Sequence, residues 1–122
     1  RSPFSCSDDE QDGEKYFLGL HKAQQAAQFM TICFETTDAF QSHCPAAVHV
    51  DKTARPQLID KEINPDVHHL LTLVGQKTGI PVLINTSFNM HEEPIVCTAD
   101  DGARAFVAAN LDGLLMGDYL LC

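Results

Sequence analysis

The sequence predicts a mixed class, α/β or α+β, in which a mixed sheet is flanked by helices. Three observations carry that reading. Two segments combine explicit helix caps with apolar residues at helical spacing, short apolar or β-branched runs of strand length lie between them, and two apolar triplets at the C-terminal end flank Gly117-Asp118. Because helices and strands intermix along the chain, the segregated all-helix and all-strand classes are excluded. The 122 residues suit a single domain or a part-domain with one core, and 44% apolar residues can fill that core without metal or disulfide staples.

Ser7 and Glu10 have capping-box spacing, which predicts a short helix from about Asp8 to Phe17. Its acids Asp8, Asp9, Glu10, Asp12 and Glu14 complement the helix dipole on a solvated face. Gln28 to Phe34 and Ala46 to Val50 are rich in aromatic, aliphatic and β-branched residues and are read as buried strands. Between them, Glu35 to Pro45 is read as a loop with a helical turn around Phe40. Leu58-Ile59 extends the segment after Arg55. Asn64-Pro65 then predicts a helix start, with an Asn cap and Pro at the first helical position. Val67, Leu70, Leu71 and Val74 predict one buried stripe on that helix, closed by Thr78-Gly79. Ile80 to Ile84 follows as a strand covered on both faces, with its Pro near the start where a donor is least missed. Thr98-Ala-Asp-Asp101 predicts a second capped helix, with Ala103, Phe106, Val107 and Leu111 as its apolar stripe. Leu114 to Met116 and Tyr119 to Leu121 are read as a terminal strand or hairpin.

Acidic residues outnumber Lys and Arg by 17 to 8, for a net charge of −9, which excludes docking on a nucleic-acid backbone. No apolar run approaches the roughly 20 residues that a membrane span needs. The opening Arg1-Ser-Pro-Phe4 is not a signal peptide, and its missing Met suggests a chain cut from something longer. Five cysteines, Cys6, Cys33, Cys44, Cys97 and Cys122, form an odd set without C-x-x-C spacing, so free thiols in a reducing, cytoplasmic compartment are expected. His68-His69 are adjacent and their rings diverge on a helix, so no metal site is expected in this chain.

Asn85-Thr-Ser-Phe-Asn-Met-His-Glu-Glu-Pro94 follows a strand directly, where open α/β sheets bind ligands. Asn85, Thr86, Ser87 and Asn89 can donate to phosphate oxygens or hold a small amide, or can simply satisfy the turn's own backbone. Arg55, in His49-Val-Asp-Lys-Thr-Ala-Arg-Pro56, offers a planar charged fork for phosphate or carboxylate, with an internal ion pair to Asp51 or another acid as the alternative. Cys97 with His91 or His49 is a conceivable thiol nucleophile, although a lone Cys beside a helix cap is more often a small buried residue.

Several separated blocks then occur in one order: His49-Val-Asp51, Thr53-Ala-Arg-Pro-Gln57, Asn64-Pro65, Thr78-Gly-Ile-Pro-Val-Leu83, Asn85-Thr-Ser-Phe-Asn89, Glu93-Pro-Ile-Val-Cys-Thr98 and Gly117-Asp118. On these blocks the chain resembles the C-terminal region of O-carbamoyltransferases of the nodulation-protein and antibiotic-carbamoylating type. The resemblance implies the C-terminal part of a YrdC-like fold, attached in the longer enzyme to an actin-like N-terminal domain that holds a metal. It further implies that carbamoyl phosphate and ATP are substrates, joined as carbamoyl-adenylate before transfer to an acceptor hydroxyl. Arg55 and Ser87 are then the catalytic candidates, and Asn85, Thr86, Asn89, His91 and Glu93 the nucleotide- or carbamoyl-binding ones. Lys52 stands where the resembled family usually has Gly, and Glu92 where many of its members have Gly. The alternatives are a YrdC-like module that binds nucleotide or a small anion without chemistry, and an interaction domain whose acidic face around Asp8, Asp9 and Glu10 recruits a partner.

Overall fold

The computed structural model describes the backbone of residues 3–7 and 10–122 and the side chains from Gly13 onward. The Ser7 to Glu10 capping box and the side chains of Asp8, Asp9, Glu10 and Asp12 lie outside the described residues. The chain gathers into two compact units, Arg1–Thr86 and Ser87–Cys122. The class is the mixed helix and strand arrangement that the sequence predicts.

The first unit carries a four-stranded sheet in the order β2-β3-β1-β4, built from β1 (Pro3–Ser7), β2 (Phe34–Glu35), β3 (Thr53–Ile59) and β4 (Val82–Ile84). β1 runs parallel to β3 and antiparallel to β4, and β2 is antiparallel to β3, so the sheet is mixed. Strand alternation sorts β3 cleanly: Ala54, Pro56 and Leu58 are buried on one face, and Thr53, Arg55 and Gln57 are half-buried on the other. Pro56 is tolerated because β2 pairs only with Thr53 and Ala54, leaving the β3 edge open at the proline.

The core lies under the Ala54 face. Phe17, Leu20, Phe34, Phe40 and Leu58 meet there, and the Phe17 and Phe40 rings tilt against each other at 5.0 Å between centroids. The aromatics come from α1 (Glu10–Tyr16) and its exit, β2, and α3 (Asp38–His43). Thr37 caps α3 by accepting from the Phe40 backbone N–H, which holds the buried ring in register.

Two of the anticipated strands are not strands. In Gln28 to Phe34, α2 (Gln24–Ala27) ends in a turn that takes the Gln28 N–H onto Gln25, Met30 adopts φ 53°, and Phe29 is left 67% exposed. Only Phe34-Glu35 remains to pair. In Ala46 to Val50, Pro45 starts a 3-10 turn whose N–H groups are used locally, and Val50 stands 95% exposed on the turn that follows. A composition of strand formers lost in both places to local hydrogen bonding.

α4 (Pro65–Thr78) is built as its sequence dictates. Asn64 accepts from the Val67 N–H, Pro65 opens the helix, and Gly79 closes it in the left-handed region at φ 83°. The predicted stripe is only partly covered: Leu71 is buried, Val67 and Val74 are half-buried, and Leu70 is exposed. The helix packs on β1 and β4, and the three-residue β4 is too short to cover the whole stripe. β4 is not covered on both faces either, since Ile84 is half-exposed.

The second unit joins α5 (Ala99–Ala108) to an antiparallel hairpin, β5 (Leu114–Met116) with β6 (Tyr119–Leu121). Thr98 and Asp101 form a full capping box at the start of α5. Gly102 faces Met116 and Phe88 closely enough that an added Cβ would lie 3.4 Å from the Met116 sulfur. The buried face of α5 is therefore Gly102 and Ala105, and Val107, placed in the predicted stripe, is 75% exposed.

Candidate active site

The sheet register brings the two most informative segments of the first unit to one end of the sheet. Arg55 on β3 is level with Pro3 on β1, and the Ile84–Phe4 pair places Asn85, the next residue, at that same level beyond β4. Two strand spacings, roughly 10 Å, separate them. On this face, the Asn85 side-chain amide donates to the Gln57 Oε1 at 2.8 Å, reaching past the intervening β1.

A cleft of about 360 Å³ opens beside that pair, lined by Gln57, Ile59, Leu83 and Asn85 from the sheet side and by Asn64 and Val67 from the start of α4. The partial positive charge at the helix N-terminus makes this wall favour an anion. Arg55 lies two residues along β3 from Gln57, on the same face. Its Nε is buried without a hydrogen-bond partner, and no carboxylate among the described residues pairs with its guanidinium. A buried unsatisfied donor costs about 1 to 3 kcal/mol.

The acid nearest in sequence is otherwise engaged. Asp51 Oδ1 accepts from Thr53 Oγ1 at 2.6 Å and from the Thr53 N–H at 3.0 Å, and His49 Nδ1 lies 3.1 Å away. These contacts, the Thr53 hydroxyl foremost, hold the Asp51 carboxyl at about 2, well below its usual range. Lys52, between them, has φ 64°, and Glu92 in the second unit has φ 63°. Both residues thus hold a left-handed backbone, the conformation that Gly adopts without cost.

Thr86 is exposed at the end of the first unit. In the second unit the loop after it is braced internally. Ser87 Oγ donates to Asn89 Oδ1 at 2.7 Å, and Asn89 Nδ2 donates to the carbonyls of Met90 and Glu93. The Glu93 carboxylate lies 3.7 Å from Arg104, and His91 projects into solvent beside Glu92. Asn89 thus serves its own turn, while the Ser87 hydroxyl keeps acceptor capacity on an exposed residue. Cys97 is exposed, with no histidine within hydrogen-bond reach among the described residues. Among those residues no group of three His, Cys, Asp or Glu side chains is placed to hold a metal ion, and no helix is long and apolar enough to cross a membrane.

Gln57 and Asn64 line the cleft and were not among the anticipated site residues. Alternation from Arg55 puts Gln57 on the same face, and the cap position puts Asn64 at the helix mouth, so the sequence carried both signals.

A small mixed sheet thus carries a ligand-sized cleft and, on the same face, the unpartnered Nε of Arg55. The family model described as carbamoyltransferase C-terminus matches residues 2–122, and the chain belongs to that family. It is 35% identical over 119 residues to the nodulation protein NolNO of Sinorhizobium fredii, covering 98% of this chain and 17% of that protein. It is 41% identical over 93 residues to an uncharacterized protein of Methanocaldococcus jannaschii, covering 76% of this chain and 18% of the relative. It is 32% identical over 78 residues to the 3'-hydroxymethylcephem-O-carbamoyltransferase of Streptomyces clavuligerus, covering 64% and 15%. The chain thus spans less than a fifth of the length of each of these relatives.

Proposed function

We propose that the chain is the C-terminal segment of a longer carbamoyltransferase and supplies part of the site that makes carbamoyl-adenylate from carbamoyl phosphate and ATP, for transfer to an acceptor hydroxyl. The observation that supports this best is the unpartnered Nε of Arg55 on the sheet face that carries the Gln57–Asn85 amide pair and the adjoining cleft. When a carbamate oxygen attacks the α-phosphorus and pyrophosphate leaves, negative charge builds on the phosphoryl oxygens. A guanidinium fixed in a half-buried position stabilises that charge where it develops. The amide groups of Gln57 and Asn85 match the donor and acceptor edge of a carbamoyl group.

A cleft of about 360 Å³ is at the small end of ligand sites. It suits one portion of the two substrates, which supports a site completed by other parts of the enzyme. The actin-like N-terminal domain is the partner this reading requires, and the resemblance places the metal in that domain. For Ser87, the resemblance alone supports a substrate contact. The test is adenylate formation by the intact enzyme with and without the Arg55 side chain, against a melting curve for each protein.

A further inference from the structure

The turn that feeds β3 holds a pair of side chains that the adenylation step leaves unused. Asp51 Oδ1 gathers the Thr53 N–H, the Thr53 hydroxyl and His49 Nδ1. An ionised carboxylate can only accept, so Nδ1 carries the hydrogen, and in the neutral tautomer the lone pair is then at Nε2. The turn itself is pinned at three points. The His49 N–H donates to the Thr53 carbonyl at 2.8 Å, the Lys52 N–H donates to the His49 carbonyl at 2.9 Å, and the Lys52 carbonyl accepts from both the N–H and hydroxyl of Thr36. Lys52 takes its left-handed conformation to close it. The imidazole remains 39% exposed. The turn enters β3 at Thr53, on the face and at the sheet end shared by Arg55 and the Asn85 terminus of β4.

We propose that His49 is a general base at this end of the sheet, with Asp51 as its positioning residue. The inference rests on the carbamoyl-adenylate reading. Atom balance for that reaction, carbamoyl phosphate plus ATP giving carbamoyl-adenylate, pyrophosphate and phosphate, consumes one water. His49 Nε2 takes a proton from that water as its oxygen bonds to the carbamoyl carbon. The bond from that carbon to the phosphate oxygen breaks, the departing phosphate keeps the electron pair, and the imidazolium returns the proton to it. Carbamic acid and hydrogen phosphate result, and the ionised carbamate is the nucleophile toward ATP.

The experiment measures phosphate release from carbamoyl phosphate, carbamoyl-adenylate formation and melting temperature for the intact enzyme and its His49→Ala variant, each with and without added imidazole. The expected result is a loss in kcat of about 100-fold, as for removal of a general base, with KM for ATP held within about threefold and kcat partly restored by imidazole. An undiminished kcat overturns the role of His49. So does a loss that imidazole does not restore in a variant that melts like the parent. Should His49→Ala fail to fold, His49→Gln keeps a hydrogen-bond donor for Asp51 without a basic nitrogen, and an unchanged kcat in it overturns the proposal equally. A parent enzyme that makes no carbamoyl-adenylate overturns the underlying reading as well, whereas the other contrary outcomes overturn His49 alone.

Discussion

Asn85 and Gln57 are hydrogen-bonded at 2.8 Å although their strands, β4 and β3, are separated by β1. The bond ties the outlet of β4 to the strand that carries Arg55. It also explains why a polar block begins abruptly at Asn85. The first polar residue after the strand is used to lock the sheet end, and the residues after it fold as a separately braced turn.

Replacing Asn85 separates the two effects. Asn85→Ala removes one neutral hydrogen bond and should lower stability by about 1 kcal/mol. Adenylate formation by the intact enzyme should fall more than tenfold, because Gln57 Oε1 loses the Asn85 donor and the cleft loses an amide. Equal, small losses in both quantities would make the pair a structural brace only. Denaturant unfolding alongside initial rates gives the comparison.

Lys52 and Glu92 each hold a left-handed backbone with a side chain that disfavours it. Lys52→Gly and Glu92→Gly should each stabilise the protein by about 0.5 to 1 kcal/mol, the strain relieved less the extra chain entropy of glycine. Thermal melts of the single and double variants check this, and the two should add because each relieves a separate turn.

Acid sensitivity should be traceable to the β3 turn. The folded-state value of about 2 for Asp51 lies below its ordinary 3.8, so its contribution is fully present above pH 4 and is lost as pH falls toward 2. Asp101, lowered by its cap bonds to Thr98, has the same sign. Asp51→Asn should therefore melt at a lower temperature than the parent at pH 6, with the gap closing as the pH drops to about 2. A gap that stays constant with pH would assign the effect to the turn's shape rather than to the charge.

Thiol reactivity should follow burial. Desolvation raises the Cys44 thiol above its ordinary value, while Cys97 and Cys122 are exposed. Alkylation of the native protein at pH 8 should modify Cys97 and Cys122 well before Cys44, because the thiolate is the reactive form. Unfolding without reductant should expose five alkylatable thiols, read by mass spectrometry, and two intact disulfides would contradict the compartment inferred from the sequence.

The elements legible in the sequence were those fixed by local chemistry. The Asn64-Pro65 start and Gly79 stop of α4, the Thr98–Asp101 box of α5, and the Gly117-Asp118 turn of the terminal hairpin each require particular residues at particular offsets, and each is found as read. The losses came where partners distant in sequence decide. Val50 looked like a core strand residue, but Pro45 and the Lys52 turn placed it in solvent. β1 passed unread because Pro3 to Ser7 has no strand pattern of its own and becomes central only by pairing with β3 and β4. Arg55 could be named as an anion ligand from its chemistry. That Asp51 would be taken by Thr53 and His49, and that the Arg55 Nε would be buried without a partner, depends on a turn geometry that composition does not encode.

The central claim is that Arg55 acts on phosphate rather than bracing the fold, and the most direct measurement is carbamoyl-adenylate formation per folded molecule of intact enzyme carrying Arg55→Ala. Loss of a charge-assisted contact in a desolvated site should cost about 2 to 4 kcal/mol, or roughly 30-fold to 1000-fold in rate, with little change in melting temperature. Ser87→Ala, which removes a neutral hydroxyl, should cost nearer about 1 kcal/mol. A strongly lowered melting temperature for Arg55→Ala with unchanged activity per folded molecule would contradict the account and make the guanidinium a structural group.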